Sequence, residues 1–188
     1  DWVGPFDNGV APGAIDGNSS ILTLQYVYTL KQAAKLFDYF NKSCEKESYQ
    51  KLATDLSTGT YKLCFDKTRN EMADTPEKKS WSQHASIFGI LSGAVPESET
   101  KQVMTKILND KSLIQATFYY RFYLNRAMVQ AGMADLYYSQ LTPWRDMLKM
   151  GLTTFAETPE PTRSDCHAWS ASPLYDFLAT ICGIMPDA

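Results

Sequence analysis

Apolar residues recur along this chain mostly at three- and four-residue spacing, with polar residues filling the positions between them. Residues 1–17 break that rule: they hold four glycines, two prolines and three aspartates, and read as an irregular opening loop. After it, Asn18, Ser19 and Ser20 offer N-caps. Tyr26, Val27, Leu30, Ala33, Ala34, Phe37 and Phe40 then share one helical face, while Lys31, Lys35 and Asp38 fall on another. The pattern predicts an amphipathic helix of about six turns. A second helix follows Lys42 and Ser43, with Tyr49, Leu52, Ala53, Leu56 and Leu63 inward and Lys46, Glu47, Gln50 and Lys51 outward, so the two make an antiparallel hairpin. The charged stretch from Asp66 to Ser80, interrupted by Pro76, predicts a long surface connection with room for a short extended pair.

Helical spacing returns over 82–92, 97–109, 116–131 and 134–149, and Pro96 with Glu97 suits a helix start. A last pattern runs over 170–182 through Leu174, Phe177, Leu178 and Ile181, after a loop from 151 to 169. The prediction is about seven helices and no sheet, an all-α chain. Links that alternate between short and long describe stacked hairpins, either an α-solenoid or a toroid of inner and outer helices. No pattern repeats at the roughly 33 or 34 residues of ankyrin or tetratricopeptide arrays, which lowers the solenoid reading.

Composition narrows the classes of partner. With 188 residues, 44% hydrophobic and 21% charged, the chain is long enough for one compact domain and lies outside the disordered class. A net charge of -3 and a pI near 5.4, without a Lys/Arg cluster, give no field for nucleic acid or an anionic membrane surface. The apolar stretches are broken well before the roughly 18 residues of a membrane span. The opening Asp1-Trp2-Val3-Gly4-Pro5 has neither a basic flank nor an apolar signal region, so any export signal is expected upstream. Cys44, Cys64, Cys166 and Cys182 form no C-x-x-C pair and only His84 and His167 could join them, so a zinc site is not expected. Four cysteines permit two disulfides, but a helical domain of this size favours buried free thiols.

Two neighbouring segments concentrate chemistry. Gly151-Leu152-Thr153-Thr154-Phe155-Ala156-Glu157 sets a carboxylate beyond a glycine break, and Ser164-Asp165-Cys166-His167-Ala168-Trp169-Ser170 gathers an acid, an imidazole, a hydroxyl and an indole. Sugar sites need this mixture, because pyranose faces stack on aromatic rings while hydroxyls need fixed donors and acceptors. Most of the aromatic residues have a plainer reading as core: Phe118, Tyr119, Tyr120, Phe122 and Tyr123 are read as packing on an inner helix, and His84, Trp81 and Trp144 as packing or capping residues.

The segment G-L-T-T-F-A-E, then R-S-D-C-H-A-W-S-A-S-P at 163–173 and the closing C-G-I-M-P resemble the end of the six-hairpin domain of glycoside hydrolase family 78, the α-L-rhamnosidases. The opening D-W-V, then Y-V-Y-T-L-K-Q-A-A-K-L, S-Q-H-A at 82–85 and T-F-Y-Y-R-F-Y-L at 117–124 follow that family's helices in the same order, so the resemblance covers essentially the whole chain. It implies a partial (α/α)6 toroid of antiparallel hairpins, with residues 1–188 as the C-terminal portion and the N-terminal part of the toroid absent. It implies an inverting exo-glycosidase acting on terminal α-L-rhamnosides, in which one carboxyl protonates the leaving oxygen and another activates water. Glu157 matches the general base, His167 the histidine that contacts the sugar, and Trp2 the aromatic lining the subsite; Arg163 and Asp165 orient the loop, or are solvated surface residues. The family's general acid lies upstream of D-W-V, so the isolated chain is expected to be inactive. No metal or organic cofactor is implied. Partners are expected to be rhamnose-containing carbohydrate and, through apolar faces left open by the absent hairpins, a second copy of the chain. A periplasmic or extracellular location goes with the family.

One departure stands out: the family's usual base motif has Trp immediately before the Glu, and here Ala156 follows Phe155. Other toroidal glycosidases and polysaccharide lyases share the architecture, and a non-catalytic carbohydrate-binding scaffold would leave Glu157 incidental.

Overall fold

The computed structural model describes residues 1–159 and 162–185. Pro186 of the closing C-G-I-M-P motif lies outside the described residues. Ser19 starts the first helix: its hydroxyl accepts the Leu22 amide at 3.5 Å, and α1 runs Ser20–Tyr39. Asn41, at φ 56°, closes that helix, with the Lys42 amide on the Phe37 carbonyl at 2.8 Å. The turn sends the chain back as α2 (Ser43–Cys64), and Val27, Leu30 and Ala53 with Tyr49 and Leu56 fill the seam of the hairpin. Tyr26, Phe40, Leu52 and Leu63, read above as inward, are exposed. Phe40 lies past the last helical turn, and α1 commits Ile21 and Leu24 to the main core, which rotates Tyr26 out beside Val27.

The connection from Asp66 onward holds the expected extended pair, β1 (Phe65–Asp66) against β2 (Glu71–Met72), but it is not a surface loop. Glu71, Met72, Ala73 and Asp74 are buried. Polar anchors replace an apolar stripe here. The Asp74 carboxylate accepts the hydroxyls of Ser80 and Ser82 at 2.6 and 2.5 Å, while Ser20 donates its hydroxyl to the Ala73 carbonyl at 2.6 Å and its amide to the Asp74 carbonyl at 2.9 Å. Burial raises the Asp74 carboxyl above the usual carboxylate range, against the pull of those serine hydroxyls.

Helix α3 (Gln83–Leu91) is the centre of the molecule, with every residue buried. Burying Ile87, Phe88 and Ile90 contributes about 1.5–3 kcal/mol each. Gly89 lets β2 approach: a Cβ there would lie 2.9 Å from Met72 Cγ and 3.1 Å from Val95 Cγ2. Gln83 ties the helix start to both neighbours, its amide donating to the Ile107 carbonyl and its oxygen accepting the Ala116 amide, each at 2.8 Å. Helix α4 (Glu97–Asn109), with Glu97 and Glu99 favourably placed in its first turn, and α5 (Phe118–Gln130) complete the centre. Helices α1, α3 and α5 pack side by side, while α2 lies against α1 and α4 against α3. Inner helices in a row with outer helices behind them make an all-α, toroid-like array of hairpins.

The predicted helix over 134–149 is two elements, a 3-10 stretch Ala134–Leu141 and α6 (Thr142–Lys149). Pro143 sits in the first turn of α6, where its missing N–H is harmless but where no α-helix can run straight through. The last pattern is also shorter than predicted: a 3-10 turn Ala168–Ser170, then α7 (Ser172–Asp176) continuing as a π-helical turn Phe177–Ile181. Its apolar stripe of Leu174, Phe177, Leu178 and Ile181 is exposed, and Pro173, Asp176 and Ala179 face inward instead. Asp176 sets that rotation, because its carboxylate is buried against Asn125 Nδ2 at 2.8 Å and the Arg126 guanidinium. All four cysteines are free, but only Cys64 is buried; Cys44, Cys166 and Cys182 are exposed, contrary to the buried-thiol reading. Among the described residues no helix is long and apolar enough to cross a membrane.

Candidate active site

The loop that carries Glu157 begins at a helix stop. Gly151, at φ 78°, ends α6 with its amide on the Leu148 carbonyl at 3.0 Å, and the Leu152 amide reaches the Met147 carbonyl at 3.1 Å. This paired closure needs a left-handed residue, and Leu152 and Met147 share the cluster beneath it. Beyond the stop the chain goes out and returns alongside itself: the Glu157 amide donates to the Ser164 carbonyl at 2.9 Å and the His167 amide to the Phe155 carbonyl at 2.7 Å. Ser170 Oγ fastens the Ala156 carbonyl at 2.6 Å, and Trp144 Nε1 fastens the Ser170 carbonyl at 2.7 Å, which ties the loop to α6.

Glu157 is therefore held from its backbone, and its side chain is only 2% exposed. Arg163 grips the carboxylate with a fork, Nε to Oε2 at 2.7 Å and Nη2 to Oε1 at 2.6 Å. His167 Nε2 stands 4.0 Å from the same Oε1. The arginine hydrogen bonds hold the Glu157 carboxyl below the usual carboxylate range against the opposing effect of burial, and the pairing raises the guanidinium in turn. Trp169 donates its indole N–H to the Glu157 carbonyl at 2.9 Å, and its ring lies 4.4 Å from the His167 ring and 5.7 Å from Tyr119 of α5.

Trp2 comes to this place from the far end of the sequence. Asp1 is the anchor: its carboxylate is buried, accepts the Thr117 amide at 3.0 Å and the Thr117 hydroxyl, and lies 2.8 Å from His84 Nε2. His84 packs between the rings of Phe6 at 5.0 Å and Tyr120 at 4.3 Å, a packing role. Trp2 is half-exposed, with the Arg163 guanidinium carbon 6.0 Å from its ring centre. Glu157, His167 and Trp2 thus meet around Arg163. Sequence reasoning gave Arg163 only a share in orienting the loop, and missed Asp1 altogether. The signal for the arginine was its place six residues after the glutamate; for Asp1 it was its place at the head of the opening D-W-V motif. Asp165 is exposed, its carbonyl accepting from the Thr154 hydroxyl. Ala156 faces away from the group, packed among Phe118, Tyr137, Leu141, Trp144 and Met147. Among the described residues no group of three or more His, Cys, Asp or Glu is arranged to hold a metal ion.

A row of helical hairpins that presents a buried carboxylate, an imidazole and indoles at one place is a toroid-like helical domain with a polar and aromatic cluster at its loops. Residues 1–181 match the model of the bacterial alpha-L-rhamnosidase six-hairpin glycosidase domain, and the chain belongs to that family. The structure resembles a rhamnosidase from Klebsiella oxytoca with rhamnose bound, at TM-score 0.78 and 20% identity over 87% of this chain and 34% of that one. It also resembles the GH78 family rhamnosidase of Bacillus sp. GL1, at TM-score 0.68 and 20% identity over 85% of this chain and 19% of that one. The chain therefore spans about a third of the length of one of these enzymes and about a fifth of the other. No curated protein sequence matches it.

Proposed function

We propose that the protein carrying this chain is an inverting, exo-acting glycosidase that removes terminal α-L-rhamnose from plant polysaccharide or glycoside, with residues 1–188 as the C-terminal portion of its six-hairpin catalytic domain. Glu157 is the general base, His167 hydrogen-bonds hydroxyls of the sugar, and Trp2 lines the subsite. One observation carries this: a carboxylate only 2% exposed, fixed by its own backbone, is set 4.0 Å from His167 beside two indoles. The family match and the shared fold with a rhamnose-bound rhamnosidase support the substrate class.

In the reaction, Glu157 takes a proton from water as the water oxygen bonds to the anomeric carbon from the face opposite the leaving group. The bond from that carbon to the glycosidic oxygen breaks, and its electron pair leaves with the oxygen, which takes a proton from a carboxylic acid roughly 6.5–9.5 Å from the base. An ionised base is required, and the arginine-held state of Glu157 meets that requirement. The acid is supplied by a segment outside this chain, so the chain alone does not hydrolyse rhamnosides. Turnover of an aryl rhamnoside by the purified chain, abolished by Glu157→Gln, would contradict this. The exposed stripe of Leu174, Phe177, Leu178 and Ile181 also expects self-association of the isolated chain, checked by light scattering.

The test uses the full-length protein on a panel of aryl glycosides, with proton NMR of the first-formed sugar. Turnover of the α-L-rhamnoside with β-L-rhamnose appearing first is expected. Activity confined to another sugar overturns the substrate, and α-L-rhamnose as first product overturns inversion.

A further inference from the structure

We propose that Arg163 is a positioning residue for the base: its fork fixes the plane of the Glu157 carboxylate and commits that group to the ionised, proton-accepting role. The inference rests on the reading of Glu157 as base and deepens it.

The geometry is lopsided in an informative way. The Glu157 side chain is 2% exposed, whereas that of Arg163 is 74% exposed, so a largely solvent-facing side chain grips a sunken carboxylate. A structural ion pair at a surface ordinarily joins two mobile side chains and contributes little. Here one partner is pinned on both sides of its own peptide, by the Glu157 amide on the Ser164 carbonyl at 2.9 Å and the Trp169 indole on the Glu157 carbonyl at 2.9 Å. The segment whose Ser164 carbonyl accepts the Glu157 amide also delivers Arg163, so one backbone pairing fixes both ends of the fork. Two parallel N–H···O bonds leave the carboxylate no freedom to rotate, while each oxygen keeps a second lone pair for another donor. A base that must meet one water against one carbon needs that constraint.

The charge matters separately from the geometry. Among the described residues, the charged or titratable groups set against Glu157 are Arg163 and His167. Burial alone pushes a carboxyl toward its protonated form, which would make Glu157 an acid, and the guanidinium reverses that direction. A lysine would retain the charge but present a point cation in place of the fork. The two contributions therefore come apart on substitution.

The experiment compares wild-type, Arg163→Gln and Arg163→Lys full-length protein by two readouts. One is the pH profile of kcat on an aryl α-L-rhamnoside. The other is the titration midpoint of Glu157 from carbon NMR of glutamate-labelled protein, its resonance assigned by loss in Glu157→Gln. In Arg163→Gln the midpoint and the acidic limb of kcat should both move to higher pH, with kcat at neutral pH falling about 10- to 100-fold and KM changing less. In Arg163→Lys the midpoint should return most of the way to wild type while kcat stays depressed. An unmoved midpoint in Arg163→Gln overturns the proposal, even if activity falls, because the guanidinium would then not set the ionisation of Glu157. Wild-type kcat in Arg163→Lys overturns the fork as the working element, and that variant decides the matter if Arg163→Gln does not fold. Retained turnover in Glu157→Gln would instead sink the reading of Glu157 as base, while the NMR midpoint would still report on Arg163.

Discussion

Trp144→Phe tests how the loop is held more sharply than any change in the loop itself. Trp144 is 7% exposed, its ring 5.0 Å from Phe118, and its Nε1 donates to the Ser170 carbonyl at 2.7 Å. Phenylalanine keeps a ring against Phe118 but removes the donor, leaving a buried carbonyl without its partner at a cost of about 1–3 kcal/mol. Ser170 is the residue whose hydroxyl holds the Ala156 carbonyl, next to Glu157, so the cost falls on opening of this loop before it falls on the whole domain. At 1.4 kcal/mol per factor of ten, amides closed by the loop, those of Glu157 and His167, should exchange with solvent deuterium roughly 5- to 150-fold faster. Hydrogen exchange followed by mass spectrometry of peptides spanning 152–170 reads this directly, with peptides from α3 as the internal control. Unchanged protection over 152–170 would refute the claim that α6 carries the loop. An equal rise across α3 would refute its locality.

Burial pushes the Cys64 thiol up to about 11, so at pH 8 it should be silent to a disulfide reagent while Cys44, Cys166 and Cys182 react; a fourth equivalent from native protein contradicts the placement of Cys64. Gly89→Val should destabilise by about 1–3 kcal/mol, seen as a lower urea midpoint, because its branches would enter the space of Met72 and Val95; a neutral result means β2 can move away from α3. Asp176→Ala strands the Arg126 guanidinium, whose side chain is 16% exposed, and should cost roughly 3–5 kcal/mol in the same assay; a loss below about 1 kcal/mol would show that the pair does not set the rotation of α7.

The inner helices were legible because their apolar stripes pack on one another, and spacing reports such faces directly. The hairpin of α1 and α2 and the starts of α3 and α4 follow from it. Where polar groups do the anchoring, periodicity misleads. Asp74 buries a charged connection through serine hydroxyls, and Asp176 turns α7 so that a clean leucine and phenylalanine stripe faces out. Tyr26 and Phe40 failed for a smaller reason, since a rotation of one position or one residue past a cap reverses burial. The candidate site was half legible. Glu157, His167 and Trp2 follow from the resemblance, but the grip of Arg163 on the Glu157 carboxylate appears only in the loop's return alongside itself, and the anchor that holds Trp2 in place only in the bond from Thr117 to Asp1.

Whether the Glu157 carboxylate takes the proton from the attacking water is read from kcat of the full-length protein on an aryl α-L-rhamnoside with Glu157→Gln in place. Glutamine has nearly the shape of glutamate and no basicity. A fall of about 10²- to 10⁴-fold in kcat with KM little altered is expected. A Glu157→Gln protein that turns over within a few fold of wild type would contradict it.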